Sequence, residues 1–134
     1  MEQGSAGVVK AFFAAFGQGD AAGALATFHP EVEIVAVRDA SRRPGELHGS
    51  YRGDGGAREF LSALGAAFET EAFTVDEVVG GGDVAYASGR FTHRVRATGK
   101  PFSSAWALRC VIAEGRIRRF RFYEDSAAYL AAAR

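Results

Sequence analysis

The amino-acid sequence predicts an α+β domain in which helices come first and long antiparallel strands follow, enclosing one mostly apolar pocket. Three observations carry that expectation. Apolar residues at spacings of three and four mark two helices in the first half. From residue 71 the pattern changes to the period of two that marks strands. Three short Gly-containing turn signals then divide the second half into hairpins. Helices gathered ahead of strands argue against the regular βα alternation of a doubly wound sheet.

Taken in order, Val8, Val9, Phe12, Phe13 and Phe16 share one helical face, which Gly17 ends. Asp20 caps a short second helix carrying Leu25 and Phe28, and Pro30 bars it from passing His29. Residues 31–38 read as a strand. Over 39–53, Pro44 and the Gly and Ser positions around Tyr51 break any apolar period, which predicts a mobile loop serving as a lid. Asp54 is the expected cap of a helix in which Ala57, Phe60, Leu61, Leu64 and Phe68 share a face. Strands follow over 71–79, 84–97, 102–113 and 116–124. The turns between them, at Gly80-Gly81-Gly82-Asp83, Thr98-Gly99-Lys100 and Glu114-Gly115, are short enough to require an antiparallel meander. Asp125 caps a last helix over 126–133, which Tyr129 and Leu130 seal.

The 134 residues, 48% hydrophobic and 24% charged, suit a single domain, 1–134, with a core of its own. Sixteen basic and sixteen acidic side chains cancel, so no overall field favours nucleic acid or an anionic membrane. No basic flank leads into an apolar stretch at the start, and no run has the length to span a bilayer. The expectation is a cytoplasmic protein with neither a membrane nor a nucleic acid as partner. Cys110 is alone, which precludes an intrachain disulfide, and it reads as a small buried hydrophobe. Without a phosphate-cradling glycine loop or a His and carboxylate spacing suited to a metal, neither metal nor cofactor is expected.

Alternation sorts the strand residues by face. One face carries Ala85, Ala87, Gly89, Phe91, His93 and Val95, then Phe102, Ser104, Trp106, Leu108 and Cys110, then Phe120, Phe122 and Glu124. That face is the expected apolar concavity. The opposite face is basic, since residues 84–123 hold eight arginines and Lys100 against the single acid Glu114. Stacking aromatics interleaved with the arginines would suit nucleic acid, whereas Glu69, Glu71, Asp76 and Glu77 on the adjoining strand offer ion pairs. A solvated or homodimer-forming face is therefore expected.

The order of these elements, with Tyr51-Arg52-Gly53, the run from Arg96 to Lys100, Trp106, the run from Glu114 to Ile117 and the run from Arg121 to Asp125, resembles a known family. It is similar to the SnoaL-like branch of the nuclear-transport-factor-2-like superfamily over essentially the whole chain. The resemblance implies a curved antiparallel sheet wrapped around three helices to form a conical pocket, a cystatin-like α+β barrel, commonly in a homodimer packed through its sheets. Members include ketosteroid isomerases, polyketide cyclases, an epoxide hydrolase and binding proteins, so the fold alone assigns no function. Carried across residue by residue, the isomerase tyrosine falls at Phe12, its general-base aspartate at Ile34 and its second aspartate near Leu108. The epoxide hydrolase Arg and Asp fall at Gly89 and Phe91 and its later Asp at Phe122. The cyclase acid/base aspartate falls on the last strand, where Glu124 or Asp125 substitutes only after a register shift.

His93 is then the titratable group expected at mid-pocket, with Ser104 beside it and Trp106 on the same face. A neutral imidazole there acts as a general base or hydrogen-bonds a ligand carbonyl; the competing reading is a satisfied structural histidine. Glu124 at the rim and Glu33 beside Ile34 become bases if buried and are otherwise solvated. His48 touches ligand if its loop closes, and His29 is structural. Phe12, Phe16, Ile34, Tyr51, Phe60, Phe91, Ser104, Trp106, Leu108, Phe120 and Phe122 are the expected contacts for a small apolar or aromatic molecule. Two functions stay open. One is a cofactor-independent cyclase, isomerase or hydrolase of polyketide-like or aromatic substrates that uses His93. The other is a non-catalytic ligand-binding or dimeric interaction module.

Overall fold

A computed structural model describes residues 4–134. The elements run α1 (Ser5–Gly17), α2 (Ala21–Ala26), β1 (Phe28–Ala36), β2 (Gly49–Arg52), α3 (Gly53–Ala67), β3 (Phe68–Gly81), β4 (Val84–Val95), β5 (Pro101–Ala113), β6 (Arg116–Glu124) and α4 (Ser126–Ala133). All six strands form one sheet in the order β2-β1-β6-β5-β4-β3. The meander from β3 to β6 is antiparallel, as the short turns require. The last of those turns places both Glu114 (φ 55°) and Gly115 (φ 77°) in the left-handed region, the geometry of a two-residue hairpin whose twist matches its strands.

The sheet departs from the expected one in two respects. It is mixed, because β6 docks parallel to β1, with Ile34 opposite Phe120 and Ala36 opposite Phe122. It is also open, with β2 and β3 as edges, so the barrel does not close. Turn chemistry determines which consecutive strands pair, but where the end of a meander docks depends on the core, which no local signal reports. Smaller differences follow from the same competition between local and tertiary preference. Phe28 and Phe68 begin β1 and β3 and do not belong to helices, and α3 starts after Arg52 without a side-chain cap, leaving Asp54 in its first turn. Asp20 and Asp125 do cap α2 and α4, accepting from the amides of Gly23 (2.8 Å) and Ala128 (3.0 Å).

Helices α1 and α3 lie in the concavity of the sheet and bury their phenylalanines there. Phe12, Phe28, Phe60 and Phe120 meet at centroid distances of 5.4–5.6 Å, mostly edge to face, the arrangement that aromatic quadrupoles prefer. Trp106 is held between Phe73 (5.2 Å) and Phe122 (5.5 Å), with Phe13 at 5.1 Å, and its indole N–H donates to the Thr74 carbonyl at 3.2 Å. Cys110 is buried as expected, and burial pushes its thiol up to about 12, which leaves it inert. No helix among the described residues is long and apolar enough to cross a membrane.

Candidate functional site

Between the concave face and the helices lies a cavity of about 740 Å³. Its walls come from α1, α2, α3, the sheet and the segment before β2, and they are mainly apolar, with Phe12, Phe16, Phe60, Phe91, Phe120 and Phe122 among them. These six are expected contacts that the structure places on the cavity. Five others do not line it, each for a physical reason. Ile34 and Leu108 are sealed beneath other side chains. Trp106 is sandwiched between rings. Tyr51 faces β2's own loop, where its hydroxyl donates to the Leu47 carbonyl at 2.5 Å. Ser104 is consumed by backbone, donating to the Ala105 carbonyl (2.6 Å) and accepting from the Asp125 amide (3.0 Å).

His93 lines the cavity as expected and is 6% exposed. Its register partner on β5 is Phe102, while Ser104 stands opposite Phe91, so the expected His93–Ser104 pair does not form. Thr70, on β3, takes that place, with its Oγ1 3.0 Å from His93 Nδ1. The imidazole is stacked on both sides, 4.5 Å from the Phe68 ring and 4.1 Å from the Phe91 ring. Burial among these rings penalises the charged form and lowers its pKa to about 4, so the ring is neutral at pH 7. A neutral imidazole with one nitrogen held by a hydroxyl presents the other to a ligand, as donor or acceptor according to the tautomer.

A second polar feature was not foreseen as a unit. Glu124, at the end of β6, and His48, just before β2, both line the cavity, with His48 Nε2 3.0 Å from Glu124 Oε2. The expected solvated rim carboxylate is instead a side chain only 6% exposed. The sequence offered one signal, since alternation put Glu124 on the apolar face. What it hid was the path of residues 39–48, which contain no period. That segment is not a free lid. Arg42 holds it, pairing with Glu59 (2.8 Å), donating to the Glu46 carbonyl (2.8 Å) and lying 3.7 Å over the Tyr51 ring, and β2 then pairs with β1. Val37 enters this segment at φ 68°, a strained conformation for a β-branched residue, and its amide donates to the Phe122 carbonyl at 2.9 Å.

Glu33 points to the other face and pairs with Arg118 (3.5 Å) and Arg52 (3.9 Å), so it has no access to the cavity. His29 pairs with Glu114 at 2.7 Å, away from the cavity. No three His, Cys, Asp or Glu residues among those described gather where they could hold a metal.

A six-stranded mixed sheet packed on helices, with an apolar cavity open to one side between them, is the cone-shaped fold of the NTF2-like proteins. The model of a SnoaL-like domain matches residues 9–120, and the chain belongs to that family. Among solved structures it is similar to an NTF2-like protein of Burkholderia thailandensis, with 24% identity over 98% of each chain and a TM-score of 0.83. A second NTF2-like protein, from Burkholderia xenovorans, is 27% identical over 95% of this chain and 93% of the other, with a TM-score of 0.81. The protein TerC, crystallised with polyporic acid, is 22% identical over 94% of this chain and 95% of its own, with a TM-score of 0.78. No curated protein matches the chain.

Proposed function

We propose that the cavity binds an apolar, aromatic small molecule of the polyketide-like class without a cofactor, and that His93 orients it by a hydrogen bond. The observation that carries this reading is a roomy cavity with phenylalanine walls and one neutral, doubly stacked imidazole whose free nitrogen is not committed to the protein. Its volume, about 740 Å³, is in the range that holds a drug-sized ligand. The lowered pKa of His93 favours a hydrogen-bonding role over that of a general base, because a base that weak is poorly matched to neutral pH. The polyporic acid found with TerC supports an aromatic ligand and supplies a probe. Native mass spectrometry with polyporic acid is expected to show a 1:1 adduct with the wild type. His93→Ala should weaken it about tenfold, the scale of one lost hydrogen bond, and Leu64→Trp, which fills the cavity, should abolish it. An adduct that survives Leu64→Trp unchanged excludes the cavity as its location.

The outer face of the sheet supports a second role, homodimerisation. Val79 (61% exposed) and Tyr86 (52%) stand there beside Tyr123, around the small residues Ser88 and Ala107, with Arg109 within reach of the Tyr86 hydroxyl at 3.4 Å. Exposed tyrosine and arginine around a small-residue floor is interface chemistry. Sedimentation velocity should give a dimer for the wild type and a monomer for Tyr86→Glu; a wild-type monomer at tens of micromolar contradicts it.

A further inference from the structure

The two ring nitrogens of His93 have different surroundings, and the difference fixes what the cavity can bind. The imidazole is closed on both faces, by Phe68 at 4.5 Å and Phe91 at 4.1 Å, so only its edges are free to hydrogen-bond. At one edge, Nδ1 lies 3.0 Å from Thr70 Oγ1. At the other, Nε2 has no partner among the described residues and is not sealed, on a side chain that lines the cavity. Burial keeps the ring neutral at pH 7, so one nitrogen carries a hydrogen and the other a lone pair.

Register on β3 decides which is which. Thr70 stands opposite His93, and the pairing then shifts so that Ala72 faces Thr92 and Glu71 is left over as a bulge. Glu71 accepts from Arg94 Nε at 3.0 Å, which leaves His93 beside a hydroxyl and not a carboxylate. A carboxylate only accepts and would hold the hydrogen on Nδ1, whereas a hydroxyl can donate. Thr70 Oγ1 makes no other hydrogen bond among the described residues. The other carboxylates of the cavity are engaged elsewhere, Asp20 by the Gly23 amide at 2.8 Å and Glu124 by His48 at 3.0 Å. Water at the exposed strand edge is the competing acceptor, and an imidazole lone pair is far more basic than water. The hydroxyl proton therefore goes to Nδ1, and the ring hydrogen to Nε2.

We propose that Thr70 is a positioning residue that fixes His93 as a hydrogen-bond donor through Nε2, so that the cavity selects aromatic ligands presenting a carbonyl or quinone oxygen. The proposal rests on the cavity being a ligand site. Selectivity follows from the mismatch: a ligand N–H aimed at Nε2 meets another N–H, and both donors lose water without gaining an acceptor. A ligand carbonyl in the same place satisfies the one unpartnered nitrogen of the ring.

The test compares fluorenone, carbazole and fluorene on the full chain at pH 7. The three share one tricyclic outline and differ at the bridge, which is an acceptor, a donor and neither. By equilibrium dialysis, wild type is expected to bind fluorenone about tenfold more tightly than fluorene, and carbazole no more tightly than fluorene. Nitrogen NMR spectra of the labelled protein should place the His93 hydrogen on Nε2. Thr70→Val, which keeps the shape and loses the hydroxyl, should turn His93 into a mixture of tautomers and reduce the preference for fluorenone over carbazole to about threefold or less. Thr70→Ser should restore both, which a merely structural role for Thr70 would not require. Carbazole bound as tightly as fluorenone, or a hydrogen on Nδ1 in wild type, overturns the donor assignment and leaves the cavity reading standing. An unchanged tautomer in Thr70→Val overturns the part given to Thr70. Failure of all three probes to bind wild type overturns the cavity reading itself, and this inference with it.

Discussion

Three residues set the terms of the site. His93 is neutral because it is enclosed, and this has a consequence for stability with a definite sign. Its folded pKa, about 4, lies below the ordinary value of 6.5, so the unfolded chain binds a proton that the folded chain refuses in that interval. The contribution is present above pH 6.5 and is lost as the pH falls toward 4, by about 2 kcal/mol after discounting for the nitrogen that faces the cavity. Urea midpoints measured across that range should fall less steeply for His93→Gln than for wild type; parallel curves contradict the assignment. Ser104 is a fastener of backbone, so Ser104→Ala should cost about 1–3 kcal/mol, the penalty for orphaning the Asp125 amide, with no change in ligand affinity. Gly89 is needed for lack of a side chain: a Cβ there would press on the Thr74 carbonyl and come within 2.8 Å of Trp106 Cζ2. Gly89→Ala should therefore cost about 3 kcal/mol through overpacking, read as a lower urea midpoint, and an unchanged midpoint would mean that β3 yields there. At this scale the sequence was informative where alternation decides orientation, as for His93, Phe91 and Glu124. It was silent on partners, because Thr70 and His48 reach their positions through register and loop path.

At the scale of elements, the segment between β1 and β2 decides the site. Its lack of period suggested mobility, yet Arg42 ties it to α3 and to the Tyr51 ring, and Gly49 makes this possible, since a Cβ there would sit 2.6 Å from the Arg42 side chain. The Arg42 contacts are of the partly buried, charge-assisted kind. Arg42→Ala is expected to speed amide hydrogen exchange over 39–50 at least tenfold while leaving α1 unchanged, and exchange that is already fast in wild type would restore the mobile-lid reading. The strands and their turns were legible because Gly-containing turns and period-two alternation are local properties. The parallel junction of β1 with β6 was not, because it is made between residues far apart in the chain, as Ile34 and Phe120 are.

The whole molecule is a sheet with two unlike faces, and the sequence announced both. Inside, phenylalanines leave space between them and do not close it completely; outside, arginines meet acids on β1 and β3, as Arg94 meets Glu71 at 3.0 Å. Exposed pairs of that kind add little stability, so the fold rests on the aromatic interior, and the cavity is a gap within that interior which a ligand would fill. Occupancy should then stabilise the whole domain in proportion to ligand concentration over its dissociation constant. The most direct measurement is a crystal structure of the chain grown with polyporic acid. Ring density is expected in the cavity between the Phe91 and Phe122 walls, with a polar ligand atom within hydrogen-bond reach of His93. Density only on the outer face, or a cavity closed by the phenylalanine side chains, would contradict it.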